Sequence, residues 1–326
     1  MYYFFAPSLI NKIELHYFFT DDSHQMDAFV RNKSETEILA IIREVATITG
    51  IKLKVETEPY LEGGLREIIK FTTKNKFFAP IITSIISGVI TGLVQHQFTK
   101  DDEFDDLQKQ KIKLEIKKLE RDLNEYERTN SVLDTKKTAD FISINSSKIV
   151  KHKSNFFKSL NNYPKISSVS FRRLNSFNAE IALPVIIERK DFNKYILDTD
   201  ELPIIVDEQA EIEIISPVLK PGSFKWKGYY STSGETIDFF MKDNDFKKDI
   251  TENRITFRNG TRINCILTKT RKLTETGEII NSSFSVIKVL SVSDGQAIIE
   301  TAHGKIYKKE RELLKNQLAL FTQNDH

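Results

Sequence analysis

The chain has 326 residues, a length that suggests about two domains. Apolar residues make up 40% and charged residues 29%, and 23 phenylalanines and 10 tyrosines can supply a buried core, so a disordered chain is excluded. A net charge of +2 excludes a polycation, and the single cysteine, Cys265, excludes a disulfide framework. No Cys/His cluster has zinc spacing, so we expect no metal and no cofactor.

The first 76 residues are predicted to form a small α/β module. Apolar residues alternate with polar ones where a half-buried strand is expected, and Ser34 with Glu37 forms a capping-box pattern. A Gly-Gly break at residues 63–64 then interrupts the chain. The predicted elements are strands over residues 13–19 and 51–55, a helix over residues 35–49 and a second helix from Leu65.

Residues 77–99 contain no charged side chain. At about 1.5 Å per residue, about 20 of them would cross a hydrocarbon core about 30 Å thick. Small and hydroxyl residues recur every four positions, so one half of the helix is polar and the other apolar. We interpret this run as a membrane span that oligomerises and lines a pore. The predicted pore-lining residues are Thr83, Ser87, Gly88, Thr91, Gly92 and Gln95.

The same run has a second interpretation. Pro80 and the hydroxyl residues dilute its hydropathy, so the alternative is a buried helix in the core of a soluble domain. In that case the Gly88–Gly92 pair would only permit close packing inside the domain, since GxxxG alone is a weak signal.

Residues 100–135 are predicted to form a coiled coil. Apolar residues from Ile112 to Leu133 follow the 4-3 spacing of a coiled-coil seam, with Asn130 at one seam position. A polar seam residue is a common way of fixing register and oligomeric state. The pattern predicts a homo-oligomer, for which a tetramer is one option. Packing of this helix against its own domain is the alternative.

Residues 136–175 form a basic segment, in which nine Lys and Arg residues face a single acid, Asp140. Interleaved aromatic residues suggest a surface for single-stranded nucleic acid, because cations bind phosphates and flat rings stack on bases. The predicted ligand-binding residues are Lys148, Lys151, Lys153, Phe156, Phe157, Lys158, Lys165, Arg172 and Arg173. A solvated helix face with core aromatics is the alternative. The next candidates are then Lys225, Lys227, Arg254, Arg258 and Arg262.

Residues 176–295 are rich in strand patterns and predict a β barrel or sandwich. Arg258-Asn-Gly-Thr261 is a two-residue hairpin signal between two apolar runs. Residues 296–326 contain a helical stretch over residues 305–321.

The chain has no P-loop, HExxH, GxSxG or CxxC pattern, so we expect no enzyme. Together the elements predict an α+β fold.

The arrangement resembles a known family. Asp22-Ser-His-Gln-Met-Asp-Ala28, Arg31-Asn-Lys33 and Glu62-Gly-Gly-Leu65 precede the hydroxyl-rich span, the coiled coil, the basic segment and the β domain. This order is similar to bacterial membrane effectors of anti-phage defence, and among them to the channel-forming effector of the Hailong system.

The resemblance implies an oligomeric ion channel in the bacterial inner membrane. Such a channel is held closed by a nucleic-acid product of a partner nucleotidyltransferase and opens during infection to depolarise the cell. The resemblance would assign the pore to residues 77–99 and the sensor to residues 136–173. The competing interpretation is a cytoplasmic, oligomeric module that binds an anionic nucleotide or single-stranded DNA.

Overall fold

The computed structural model describes residues 9–21, 25–58, 65–73, 77–88, 110, 114, 129–220, 222–294 and 297–322. The chain divides into two compact units. Unit 1 contains Met1–Asp200 and Leu273–Ile279, and unit 2 contains Glu201–Lys272 and Ile280–His326. Both units contain a sheet and helices, so the predicted α+β class is confirmed.

Unit 1 is built on a five-stranded antiparallel sheet with the order β2-β3-β1-β4-β5. The strands are β1 (Leu9–Phe19), β2 (Leu53–Glu58), β3 (Leu65–Thr73), β4 (Ile166–Leu174) and β5 (Val185–Glu188). The segment from Leu65 is therefore a strand, and the predicted helix there is wrong. Its apolar residues pair along β1, from Leu9↔Thr73 to Tyr17↔Leu65, and this pairing overrides the local sequence signal.

Helices cover one face of this sheet and form the core with it. They are α1 (Ala28–Thr49), α2 (Phe78–Ser87), α3 (Thr129–Asn145), α4 (Ser147–Asn161) and a 3₁₀ helix (Arg189–Tyr195). The first helix starts earlier than predicted, because Asp27 caps it by accepting hydrogen bonds from the amides of Phe29 and Val30. Ser34 lies inside the helix and donates to the carbonyl of Val30. As predicted, the helix ends at Gly50, where φ is 70°.

The structure does not support the predicted membrane span of residues 77–99. Helix α2 has 10 residues, about 15 Å of rise, and Gly88 after it is extended. The side chains of Ile81, Ile82, Ile85 and Ile86 are fully buried in the unit 1 core. No helix in the described part of the chain is both long enough and apolar enough to cross a membrane.

Two of the predicted pore-lining residues, Thr83 and Ser87, have hydroxyl groups that bond within their own helix. Thr83 and Ser87 donate hydrogen bonds to the carbonyls of Ala79 and Thr83, at 2.9 and 2.8 Å, so their hydroxyls are satisfied within α2. Thr91, Gly92 and Gln95 lie outside the described residues, as does most of the coiled coil predicted for residues 100–135.

Unit 2 contains a closed five-stranded barrel, which confirms the barrel among the two predicted options. Its strands are β6 (Glu201–Ser216), β7 (Lys225–Tyr230), β8 (Glu235–Met241), β9 (Arg262–Leu273) and β10 (Ile279–Ser293). The long strand β6 pairs with β7 and with β9, and β10 closes the ring by pairing with β9 and, in parallel, with β8. This Greek-key order is that of the OB fold.

The barrel interior alternates with its exterior along each strand. Helix α5 (Asn244–Thr251), between β8 and β9, inserts Phe246 among the interior residues, where its ring centroid is 6.4 Å from that of Trp226. The predicted turn at Arg258–Thr261 forms, with a hydrogen bond from the Thr261 amide to the Arg258 carbonyl. The residues before it, however, do not form a strand.

The remaining elements of unit 2 are a short strand and a helix. Strand β11 (Ile298–Glu300) pairs with the end of β10. Helix α6 (Ala302–Thr322) confirms the helix predicted from residue 305. Thr301 lies before this helix and accepts a hydrogen bond from the Gly304 amide, as a helix-capping side chain does.

Candidate ligand-binding cleft

The aromatic residues of the basic segment lie in the core of unit 1. Phe156 and Phe157 on α4 are 0% exposed and pack edge to face with their ring centroids 5.0 Å apart. Phe157 also stacks on Tyr195 of the 3₁₀ helix at 4.4 Å. Neither ring has a face open to a base. The prediction that these two residues stack on a ligand is therefore corrected: they are packing residues.

Two lysines predicted to bind phosphates are buried as well. The ammonium group of Lys151 is 2.7 Å from the carboxylate of Asp200 and 3.6 Å from that of Glu275. The ammonium group of Lys153 donates to the carbonyls of Ile85 and Gly88, at 3.1 and 2.8 Å. Burial lowers the pKa of Lys153 to about 8. Both lysines are used inside unit 1.

The other seven cations of the segment lie on α3, on α4, on β4 and just before β4, and three of them have acidic partners. The ion pairs are Lys148 with Glu278 at 3.9 Å, Lys165 with Asp21 at 3.2 Å, and Arg172 with Glu14 at 3.6 Å and with Glu180 at 3.0 Å. Arg173 is half-buried, which lowers its pKa, and Lys158 is exposed. Acids from other parts of the chain thus pair with Lys148, Lys151, Lys165 and Arg172, whereas Lys136, Lys137 and Lys158 are exposed.

Unit 2 has an open cleft on the outside of its barrel. The cleft measures about 580 Å³ and receives side chains from the β6–β7 loop, β8, α5, β9 and β10. Its lining residues are Gly222, Ser223, Phe224, Phe240, Met241, Lys242, Asn244, Lys247, Thr270, Ser283 and Ser285. These described lining residues include two lysines, several hydroxyl groups and two aromatic rings, and no carboxylate.

The β6–β7 loop fixes the position of Phe224 in this cleft. Gly222 has a φ of 143°, which side chains rarely adopt, and a Cβ built there would lie 2.7 Å from the Phe224 ring. The ring therefore packs directly on the glycine backbone while 53% of the Phe224 residue stays exposed. On the neighbouring strand β7, the ammonium group of Lys225 lies 5.3 Å from the ring centroid of Phe240, a cation–π contact.

A smaller cleft lies beside the first. It measures about 120 Å³ and shares Gly222, Phe224 and Lys247 with the larger one. The rest of its lining is mostly apolar and comprises Val218, Leu219, Lys220, Trp226, Ile250 and Thr251. The Phe224 ring therefore belongs to the wall of both clefts.

The lysines around the clefts have no acidic partner, in contrast to Lys148, Lys151 and Lys165 of unit 1. Within the part of the chain that the structure describes, Lys225, Lys242 and Lys247 form no ion pair. The arginines named with Lys225 and Lys227 as next candidates are paired instead. Arg254 contacts Asp249 and Glu252, Arg258 contacts Asp294, and Arg262 contacts Glu211 and Glu213. Lys225, Lys242 and Lys247 are thus cations without an ion pair, whereas these arginines are paired.

The described residues contain one group that could surround a metal ion, formed by Asp243, Asp245 and His303, whose ligand atoms lie within 4.8 Å of one another. Both oxygens of Asp243 are already used, because they accept hydrogen bonds from the amides of Phe246 and Val289. His303 lies 3.1 Å from Asp245 and 3.6 Å from Asp243. The group is therefore explained as a helix cap with an ion-paired histidine.

Comparison with protein-family models, with curated proteins and with solved structures finds no match to this chain. The chemistry of the two clefts is therefore the basis on which a function is argued.

Proposed function

We propose that this protein binds single-stranded nucleic acid through the outer surface of the barrel. The observation that carries the proposal is the proximity of the exposed Phe224 ring and the partly exposed Phe240 ring to lysines that have no acidic partner, Lys225, Lys242 and Lys247. Unpaired cations attract a phosphate chain, and an exposed ring gives a base a surface to stack on, at about 1–3 kcal/mol per base.

The barrel arrangement agrees with this ligand. OB-type barrels bind oligonucleotides or oligosaccharides on the face of their second and third strands and in the adjoining loops. The second and third strands here are β7 and β8, and the loop between the first two holds Phe224. An oligosaccharide carries no phosphate, so the lysines favour the nucleic acid. This support is a fold-level analogy, and the residues of the cleft provide the independent argument.

The proposal keeps the anionic ligand predicted from the sequence and moves its site from the basic segment to unit 2. The membrane channel, the homo-oligomer and the partner nucleotidyltransferase remain predictions of the sequence resemblance. Among these, the channel has the least support, because residues 78–87 are buried in the core of unit 1.

A salt titration of binding tests the proposal. The affinity of the full chain for a labelled thymidine oligonucleotide of about 12 nucleotides should fall with salt, with a log-log slope of about −0.7 per phosphate contact. Lys225→Gln and Lys247→Gln should each make the slope shallower by about that amount. Lys309→Gln, on the exposed surface of α6, is the matched control and should leave the slope unchanged. A variant with Lys225, Lys242 and Lys247 all changed to Gln that binds like the parent would refute the site.

A further inference from the structure

The two clefts on the barrel are joined by shared residues. Phe224 and Lys247 line both of them, whereas Lys242 lines only the larger and Ile250 only the smaller. A planar ring that belongs to the walls of two clefts gives a ligand group in each of them a surface to pack against. A lysine shared by both can reach a charge that connects the two groups.

We propose that the clefts together hold two consecutive nucleotides of a strand, with the Phe224 ring between their bases and Lys247 on the phosphate that links them. This inference rests on the proposed function and specifies its ligand. The recognised unit is a dinucleotide step, so a single nucleotide satisfies only half of the site.

The sizes of the clefts fit this division. The smaller cleft, about 120 Å³, is close in volume to a cavity of about 150 Å³ that binds benzene, which suits a single ring. The larger cleft, about 580 Å³, has room for a nucleotide with its sugar and phosphate.

The side chains that line the two clefts also differ, and the difference agrees with this division. The smaller cleft presents Val218, Leu219 and Ile250, apolar side chains that suit the face or edge of a base. The larger cleft adds Lys242 together with hydroxyl groups of Thr270 and Ser283, which can donate hydrogen bonds to phosphate oxygens. One nucleotide would therefore place its base in the apolar cleft, and its neighbour would place its sugar and phosphate in the polar one.

Phe224 is positioned to act as the separator at a reduced ordering cost. Its ring rests on the Gly222 backbone, so part of its freedom is already lost before a ligand arrives. Any side chain at position 222 would displace the ring, because a Cβ there would lie 2.7 Å from it. Gly222→Ala and Phe224→Leu are thus two independent ways of removing the separator.

The experiment compares thymidine monophosphate with the thymidine dinucleotide that carries a 5′-phosphate, using the full chain and calorimetric or fluorescence titration. The parent should bind the dinucleotide at least tenfold more tightly. Phe224→Leu and Gly222→Ala should reduce this advantage to about twofold or less. Phe177→Leu, at an aromatic residue of unit 1 that is 88% exposed, is the matched control and should keep the full advantage. Circular dichroism verifies that each variant is folded.

The outcomes separate this inference from the function on which it rests. If the monophosphate binds as tightly as the dinucleotide, or if Phe224→Leu keeps the tenfold advantage, the two-nucleotide unit is refuted. Nucleic-acid binding would then still stand, provided that the 12-nucleotide strand binds with its salt slope. If that strand does not bind at all, the proposed function itself is refuted.

Discussion

The ammonium group of Lys153 lies 2.8 Å from the carbonyl oxygen of Gly88, at the point where α2 ends. The last carbonyls of a helix have no partner within the helix, and a cation there also interacts favourably with the helix dipole. Lys153 reaches α2 from α4, across 65 residues of sequence, and is 2% exposed. A charge that a sequence window assigns to ligand binding thus holds the end of a core helix.

The depressed pKa of Lys153 predicts that unit 1 becomes more stable as the pH rises above 8. The unfolded chain keeps the lysine proton up to about pH 10.4, whereas the folded chain releases it from about pH 8, so the unfolded state binds more protons in this window. The free energy of unfolding should rise by about 2 kcal/mol between pH 8 and 10 relative to Lys153→Met. Urea unfolding of both proteins measures the difference. Parallel pH profiles would show that folding does not lower the pKa of Lys153.

Phe157→Ala should destabilise unit 1 by about 3–5 kcal/mol, because the ring is fully buried and its removal leaves a cavity. The midpoint of denaturant unfolding measures this loss. Phe177→Ala, which removes an exposed ring, should change stability by no more than about 0.5 kcal/mol. A Phe157→Ala protein of parental stability that binds oligonucleotides less tightly would restore the original interpretation of the ring as a stacking surface.

Asp200→Asn should destabilise unit 1 by about 1.5–3 kcal/mol, since it weakens the partner of a lysine that is buried. Lys151→Met removes the buried charge itself and should cost less, because the carboxylates that it leaves behind, on Asp200 and Glu275, are 41% and 80% exposed and stay hydrated. The order of the two unfolding midpoints decides this prediction. A larger loss for Lys151→Met would mean that the pair is net stabilising.

Gly228→Ala should destabilise the barrel by about 1–3 kcal/mol through overpacking. A Cβ at this position on β7 would meet the side chain of Ile212 and would lie 2.9 Å from the Glu213 carbonyl, next to the irregular register between β6 and β7. Lys227→Ala on the exposed face of the same strand is the control, expected within about 0.5 kcal/mol of the parent. Thermal unfolding followed by the fluorescence of Trp226, inside the barrel, reports both.

Much of the fold follows from local patterns. Alternation correctly located β1 and β2, and the Gly50 stop correctly ended α1, because each signal acts over a few residues. The same patterns predict the wrong element for the segment from Leu65, which is a strand and not a helix. Ile68, Ile69 and Phe71 form a short apolar run that periodicity alone does not assign, and one of its two pairing partners, β1, lies more than 50 residues earlier. The apolar run in α2 posed the same ambiguity between membrane and core.

The site was harder to predict than the fold, because its charges and rings are not contiguous. Counting charges in residues 136–173 shows the lysines and omits Asp200 and Glu275, which lie outside that window and neutralise Lys151. Conversely, the larger cleft draws residues from a loop, three strands and a helix, and its local sequence is not strongly basic. A usable signal was the neighbourhood of Gly222 and Phe224, a glycine and an aromatic residue in a turn before Lys225.

Unit 1 is discontinuous in sequence, since Leu273–Ile279 belongs to it. In that segment the carbonyl of Gly277 accepts a hydrogen bond from Ser147, and the carbonyl of Glu275 accepts one from Asn155. During synthesis on the ribosome, these contacts cannot form until the chain has emerged as far as residue 279. A fragment that ends at residue 200 would lack these hydrogen bonds. Its Lys151 would also lack the ion pair with Glu275. Unit 1 can therefore be completed only after most of unit 2 has been translated.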